Sequence, residues 1–535
     1  MLQNTLATLL LISLNPMITA AADWSENHPI PLEGRPNPLS LPEVQWQQFV
    51  QAGRLHAQIY PVKVTGLLPP FAPVAKLLPP GQDFEDIERD LGLHPYPKDT
   101  DEGVYQVPYP DGQRPEHRLG MGWIERGGAS GFTFSCAACH SSRLFGTTVL
   151  GMTNRFPKAN DFFVRAKSAV ALIPASLVES ATGATEAEMA LFKETKSNIR
   201  FVGVKKPVVL GLDTSLAQVA LSLNLRAPDP WAEKDPEALR NPPRDWLDEY
   251  PADSKPAVWW NVKYKNRWLS DGSVVSGNPI FTNILWNELG RGADLRELNQ
   301  WFRENPQTIA ELASAVFASE APRFTDFFPA EKIDLARARA GELIYEKTCS
   351  RCHGHYFKNW DLLPESAPLI DKLKTWKVQY HSQTPVKNVG TDPHRWMGMQ
   401  SLLRLNELLI SQEHGIQVRP QQGYVPPPLV GIWARWPYFH NNSAPSLCAV
   451  LTAGPQRPKI YWAVQPDDPA TDFDLNCNGY PTNLPWDRRK ADYKYDSRKT
   501  GMNNRGHDEG IFLKDGREVL SAEDKKNLIQ FLQTL

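Results

Sequence analysis

A chain of 535 residues with a formal net charge of −2 gives no electrostatic basis for binding nucleic acid or an anionic membrane surface. Its length suits about two to four ordinary domains. The 17 Trp and 47 Pro point to irregular loops packed on aromatic anchors, not to long regular elements.

Residues 6–18 are apolar, and Ala20, Ala21 and Ala22 precede Asp23. This is an A-x-A-like cleavage site, although the first residues carry no Lys or Arg. A membrane anchor is the competing reading, but the run is short for a bilayer span. Residues 1–22 are therefore read as a signal peptide. The mature chain is expected to have no transmembrane segment and to be periplasmic or secreted.

From 23 to about 130 the chain is punctuated by prolines, with a helix predicted over 41–59 and a few short strands over 101–126. Gly131 to Phe134 lead into Cys136, Ala137, Ala138, Cys139 and His140. This C-x-x-C-H run is the pattern for covalent haem c attachment. Each sulfur can form a thioether, and the histidine can supply an axial nitrogen. Apolar periodicity predicts helices over 162–177, 185–195, 208–225, 295–302 and 308–317. An aromatic and basic stretch holds Trp259, Trp260 and Trp268 with Lys263, Lys265 and Arg267.

Residues 322–329 mark a boundary, and 330–347 form an entry helix to a second C-x-x-C-H: Cys349, Cys352 and His353. Gly341, Tyr345 and Cys349 are spaced by four, so they share one helix face. From Ser521 the sequence reads as a capped terminal helix carrying Leu528, Ile529, Phe531, Leu532 and Leu535. That helix is expected to cross the Gly341 helix. Zinc sites and thioredoxin-like pairs also use C-x-x-C, but neither context is visible around these two motifs.

The expected class is therefore mainly α with long irregular loops, and two cytochrome c-type haem domains in one chain (23–329 and 330–535). The expected cofactors are two covalently bound haem c. Cys448 and Cys477 remain, and in an oxidising compartment they could pair; two buried thiols are the alternative.

The far side of each iron decides function. A second strong ligand closes it for electron transfer, and an open side binds oxygen or peroxide. No histidine lies between His140 and His353. His28, His56, His94, His117 and Met152 are expected to be ordinary packing, which makes the first haem the better candidate for an open site. For the second haem the candidates are His355, His381, His394, His414, His440 and His507.

Residues 427–447, PPLVGIWARWPYFHNNSAPSL, resemble a "PYLHNGSVPSL" block of the di-haem cytochrome c peroxidase superfamily. The fuller pattern is similar to its rubber-oxygenase-like branch. Supporting pieces are Val389 to Pro393, Arg457-Pro458, and Gly506-His507-Asp508. The resemblance is dense from about 335 onward, thinner from about 120 to 290, and absent from the first hundred residues. Where the classical peroxidases place a Met or Tyr ligand this chain has Gly454, and where they place a distal histidine it has Phe156. In the rubber-oxygenase-like branch the Gly-His block serves instead, which implies His353 and His507 as the two ligands of the second haem. His440 is implied to lie near that haem without ligating it. A Trp beside the first haem is implied to support activity, and Trp259 and Trp260 both fit.

What the resemblance implies is a dioxygenase. Oxygen would bind at the N-terminal haem, beside an apolar small-molecule or polymer substrate with a carbon–carbon double bond, such as polyisoprene or an unsaturated fatty acid. A redox partner protein is compatible with this scheme. So is a calcium between the domains, although no ligand set for it is readable. The alternatives are a di-haem peroxidase and an electron-transfer di-haem cytochrome.

Overall fold

The computed structural model describes residues 41–99, 101–212, 215–275 and 278–535. The signal peptide expected at 1–22 lies outside them. The chain is mostly helical, with long loops and, among the described residues, five two-stranded antiparallel sheets.

The predicted helices form with small shifts that local chemistry explains. The first runs Glu43–Ile59. The one expected over 162–177 runs Ala159–Leu172 and stops ahead of Pro174, whose missing N–H and ring cannot continue a helix. Glu186–Ile199 starts at a capping box in which Thr185 and Glu188 satisfy each other's backbone N–H. Leu295–Glu304 and Pro306–Ala318 are capped by Asp294 and begun by Pro306. The segment 208–225 is helical only over Ser215–Asn224. A helix that the periodicity did not single out, Pro279–Leu289, is capped by the Asn278 side chain.

The entry helix of the second motif begins later than expected, at Leu335, because Asp334 caps the N–H groups of Ala336 and Arg337. It runs to Thr348, and the terminal helix runs Ala522–Gln533 behind the Ser521–Asp524 capping box. The two cross at Gly341. A Cβ there would sit 2.0 Å from the Asn527 carbonyl oxygen and 2.9 Å from the Phe531 Cβ. Only the bare glycine backbone permits this approach.

Two large hydrophobic clusters make the interior, and both draw on residues from either side of 330. One joins Trp268, Ile284, Trp286 and Leu312 to Met399, Leu402 and Leu405. The other joins Leu144, Met152 and Trp260 to Tyr345, Trp433 and Phe531. Buried cations bind the halves further. Arg155 donates from Nη2 to the Ala434 carbonyl at 2.7 Å and from Nε to the Trp436 carbonyl at 2.9 Å. Its guanidinium lies 4.3 Å from the Trp436 ring centre. Lys255 donates to the carbonyls of Arg435 and Pro437.

Cys448 and Cys477 form a disulfide. It closes a loop across 29 residues of sequence, and reducing it is expected to lower unfolding stability by about 2–4 kcal/mol. Denaturant titration with and without a thiol reductant measures this. Among the described residues, no helix is long and apolar enough to cross a membrane.

Candidate haem-binding cavity

The first motif sits between two hairpins. Strands Met121–Arg126 and Ala129–Phe134 pair ahead of it, and Ser141–Leu144 and Thr147–Leu150 pair behind it. Between them, Cys136–Ala138 is a single 3-10 turn, which brings Cys136 and Cys139 together. The second motif continues the Leu335–Thr348 helix into Ser350–His353. Both motifs line one cavity of about 910 Å3, near the upper end of the roughly 300–1,000 Å3 usual for ligand pockets.

Each motif histidine is oriented in the same way. His140 Nδ1 donates to the Ala257 carbonyl at 2.9 Å, and His353 Nδ1 donates to the Pro427 carbonyl at 2.8 Å. A carbonyl can only accept, so the proton is on Nδ1 and the Nε2 lone pair is left for a metal. Burial pushes the His353 imidazole down to about 4. It is therefore neutral at physiological pH, as a ligand must be.

His507 faces His353. The ring centres are 6.3 Å apart. A metal held between two imidazole nitrogens at about 2 Å from each needs a ring separation of this size. The His507 Nδ1 is buried with no hydrogen-bond partner, and burial pushes this imidazole down to about 3. Cys448 and Cys477 pair with each other and not with a motif cysteine. The residues present thus fit a covalently attached haem at the second motif, which Cys349, Cys352, His353 and His507 would hold.

The loop that presents His507 is built from the pieces that stood out in the sequence. Arg457, buried, donates to the Gly506 carbonyl at 2.8 Å and to the carbonyls of Ala449 and Thr452. The Asp392 carboxylate accepts from the Asn503 backbone and side chain, and Asn441 donates to the Asn503 carbonyl. Gly506 has φ +74, and a Cβ on it would meet the Gly390 carbonyl carbon at 2.2 Å. His507 N–H donates to the Val389 carbonyl at 2.7 Å.

The adjacent tryptophans point differently. Trp259 lines the cavity, its ring 5.7 Å from that of His140. Trp260 is fully buried in the second core cluster and donates from Nε1 to the Val430 carbonyl at 3.0 Å. Consecutive residues on one 3-10 turn, Trp259–Tyr264, cannot face the same way. His440 also lines the cavity, stacked on Tyr424 with ring centres 3.9 Å apart.

Among the described residues, the cavity wall holds no Met, and no His besides His140, His353, His440 and His507. The other described candidates are engaged elsewhere, and His28 lies outside the described residues. His56 pairs with Glu311, His94 with Asn154 and His355 with Glu346. His117 packs edge-on against Trp123, and Met152 lies in the core. Phe156 stacks on Tyr493 outside the cavity, and Gly454 donates its N–H to Asp508. The described residues contain no group of three His, Cys, Asp or Glu that could hold a metal ion by themselves.

Residues 423–463 match the family model described as RoxA-like, cytochrome c-like. This stretch contains the carbonyl that orients His353, the His440 block and Arg457. Over this segment the chain resembles a RoxA-like, cytochrome c-like domain. Such a domain implies covalently bound haem c and is consistent with an oxidoreductase. Two relatives of this chain come from Sinorhizobium fredii, and both are named as uncharacterized. Protein y4iJ is 33% identical over 127 residues, 23% of this chain and 20% of that protein. Protein y4iM is 26% identical over 238 residues, 38% of this chain and 49% of that protein. The chain thus spans between a fifth and a half of the curated relatives it matches.

Proposed function

We propose that the protein is an extracytoplasmic di-haem c oxidoreductase that uses dioxygen to attack a carbon–carbon double bond in an apolar substrate. One haem would be held by Cys136, Cys139 and His140, the other by Cys349, Cys352, His353 and His507. The observation that carries the reading is the asymmetry of the cavity. His353 has a histidine opposite it, while the core around Cys136 supplies apolar side chains, among them Trp268, Trp286, Leu312 and Val316.

When bound, haem c supplies a redox-active iron that can activate dioxygen where one axial position is left open. The chain supplies the rest. The Ala257 carbonyl holds the His140 proton on Nδ1 and so fixes the ligating nitrogen. The Trp259 ring and the aliphatic wall exclude water and give an apolar molecule a surface to bury against, at about 25 cal/mol per Å2. Polyisoprene and unsaturated fatty acids are substrates of this kind. His507, facing His353, would hold the second haem closed against exogenous ligands and suit it to electron exchange. The Cys448–Cys477 disulfide supports an oxidising, extracytoplasmic location.

Optical and EPR spectra of the haem-loaded protein, reduced and exposed to carbon monoxide, test the reading. One haem that binds the gas beside one low-spin haem that does not is expected. Two low-spin haems, both inert to the gas, would replace the oxygenase with an electron carrier. The tryptophans separate within the same assay. Trp259→Ala is expected to shift the carbon monoxide spectrum with little change in unfolding midpoint. Trp260→Ala is expected to cost about 3–5 kcal/mol of stability and to leave that spectrum nearly unchanged.

A further inference from the structure

The cavity wall is strongly cationic. Its side chains include Lys255, Lys265, Arg291, Arg395 and Arg435, and its acidic member is Glu509, an exposed residue. Most of the buried cations are matched from within the chain. Arg291 pairs with Glu288 at 3.1 Å and Arg395 with Asp271 at 3.1 Å. Lys255 donates to two backbone carbonyls. Two are not matched. Arg435 donates from Nη1 to the Pro428 carbonyl at 3.0 Å and has no carboxylate partner. Lys265 lines the cavity, is 6% exposed, and has no carboxylate paired to it among the described residues.

The backbone brings the two together beside the second motif. Arg435 and Asn261 both donate to the Pro428 carbonyl, next to the Pro427 carbonyl that orients His353, and Lys265 directly follows the 3-10 turn that carries Asn261. Burial also pushes Lys265 down to about 8. Two like charges in one cavity wall, with no acid paired to either among the described residues, favour an anion between them. The compensating charge must then come from the ligand that fills the cavity. Guanidinium and ammonium groups recognise carboxylates through charge-assisted hydrogen bonds.

We infer that Lys265 and Arg435 form a carboxylate-binding site whose occupants are the two propionates of the haem held at His353. This rests on the di-haem reading above. The two residues are positioning residues for the cofactor, and their charge sets its reduction potential. A cation beside a haem carboxylate favours the reduced, less positive iron, so removing the cation favours the oxidised state.

The experiment is a redox titration of the full haem-loaded chain and its Lys265→Met variant, preceded by a haem count for each. Lys265→Met preserves length and packing while deleting charge. It is expected to lower the midpoint potential of the low-spin haem by about tenfold in the redox equilibrium, which is about 59 mV for a one-electron couple. Lys265→Arg is expected to restore it. Arg435→Lys, which keeps the charge but loses the fork, is expected to retain the potential while altering the low-spin EPR signal. An unchanged midpoint in Lys265→Met overturns the proposal. A free carboxylate is the other source of the same chemistry. If oleate shifts the wild-type spectrum, and Lys265→Met abolishes that shift without moving the midpoint, the site belongs to a fatty acid and the propionate assignment is overturned. A haem count of one or none per wild-type chain is a separate result, which removes the di-haem reading itself.

Discussion

Replacing His507 with alanine is expected, on the di-haem reading proposed above, to convert the haem at His353 from low spin to high spin and to open it to carbon monoxide. The supports of the loop stay in place: Arg457 still holds the Gly506 carbonyl, and Asp392 still holds Asn503. What is lost is the ring that faces His353 at 6.3 Å. No other lining side chain takes its place, since His440 is stacked against Tyr424. Gas binding would then extend to both haems, and added imidazole should return the spectrum to low spin by occupying the space of the deleted ring. The change is read in the EPR signal and in the visible spectrum of the reduced protein. A spectrum identical to wild type would mean that another group closes this centre, and the assignment of His507 would fall.

Gly341→Ala is expected to be the most damaging single-methyl substitution in the C-terminal half. The new Cβ would stand 2.0 Å from the Asn527 carbonyl oxygen, well inside van der Waals contact. Backbone on a packed helix cannot rotate away as a side chain can, so the terminal helix must shift bodily. Overpacking costs about 1–3 kcal/mol where side chains can yield, and this case belongs at or above the top of that range. The shift also reaches the cavity, because Leu528 and Leu532 on the terminal helix line it. The haem spectrum should therefore broaden along with the fall in the unfolding midpoint. Leu343→Ala, two residues on and 74% exposed, is the control and should change stability by no more than about 0.5 kcal/mol. Equal midpoints for the two variants would show that the helices do not meet at Gly341.

Much of this was legible in the sequence because the signals are local. Two C-x-x-C-H runs, a Ser521 capping box and a four-residue spacing through Gly341 each state their geometry within a few turns of chain. The disulfide was legible by arithmetic, since four of six cysteines were already committed. Other features were not local. Trp259 and Trp260 are neighbours of identical type, and only the packing of Trp260 beneath Val430 separates them. Lys265 and Arg435 are ordinary basic residues until the fold buries both in a wall with little acid. The roles of Asn441, Asp392 and Arg457 were equally hidden, because each acts on a loop far away in sequence. The Pro279–Leu289 helix was missed although Asn278 and Pro279 spell a cap and a first turn, because its apolar residues are buried on nearly every side and show no stripe.

The contact of Arg155 and Lys255 with residues 434–437 also bears on how such a chain can be divided. A gene cut near 330 would yield a piece in which both cations lose the carbonyls that receive them, while the two cores lose side chains from the other half. A cut at 330, where the sequence invites one, is therefore expected to expose two buried cations and two opened cores at once.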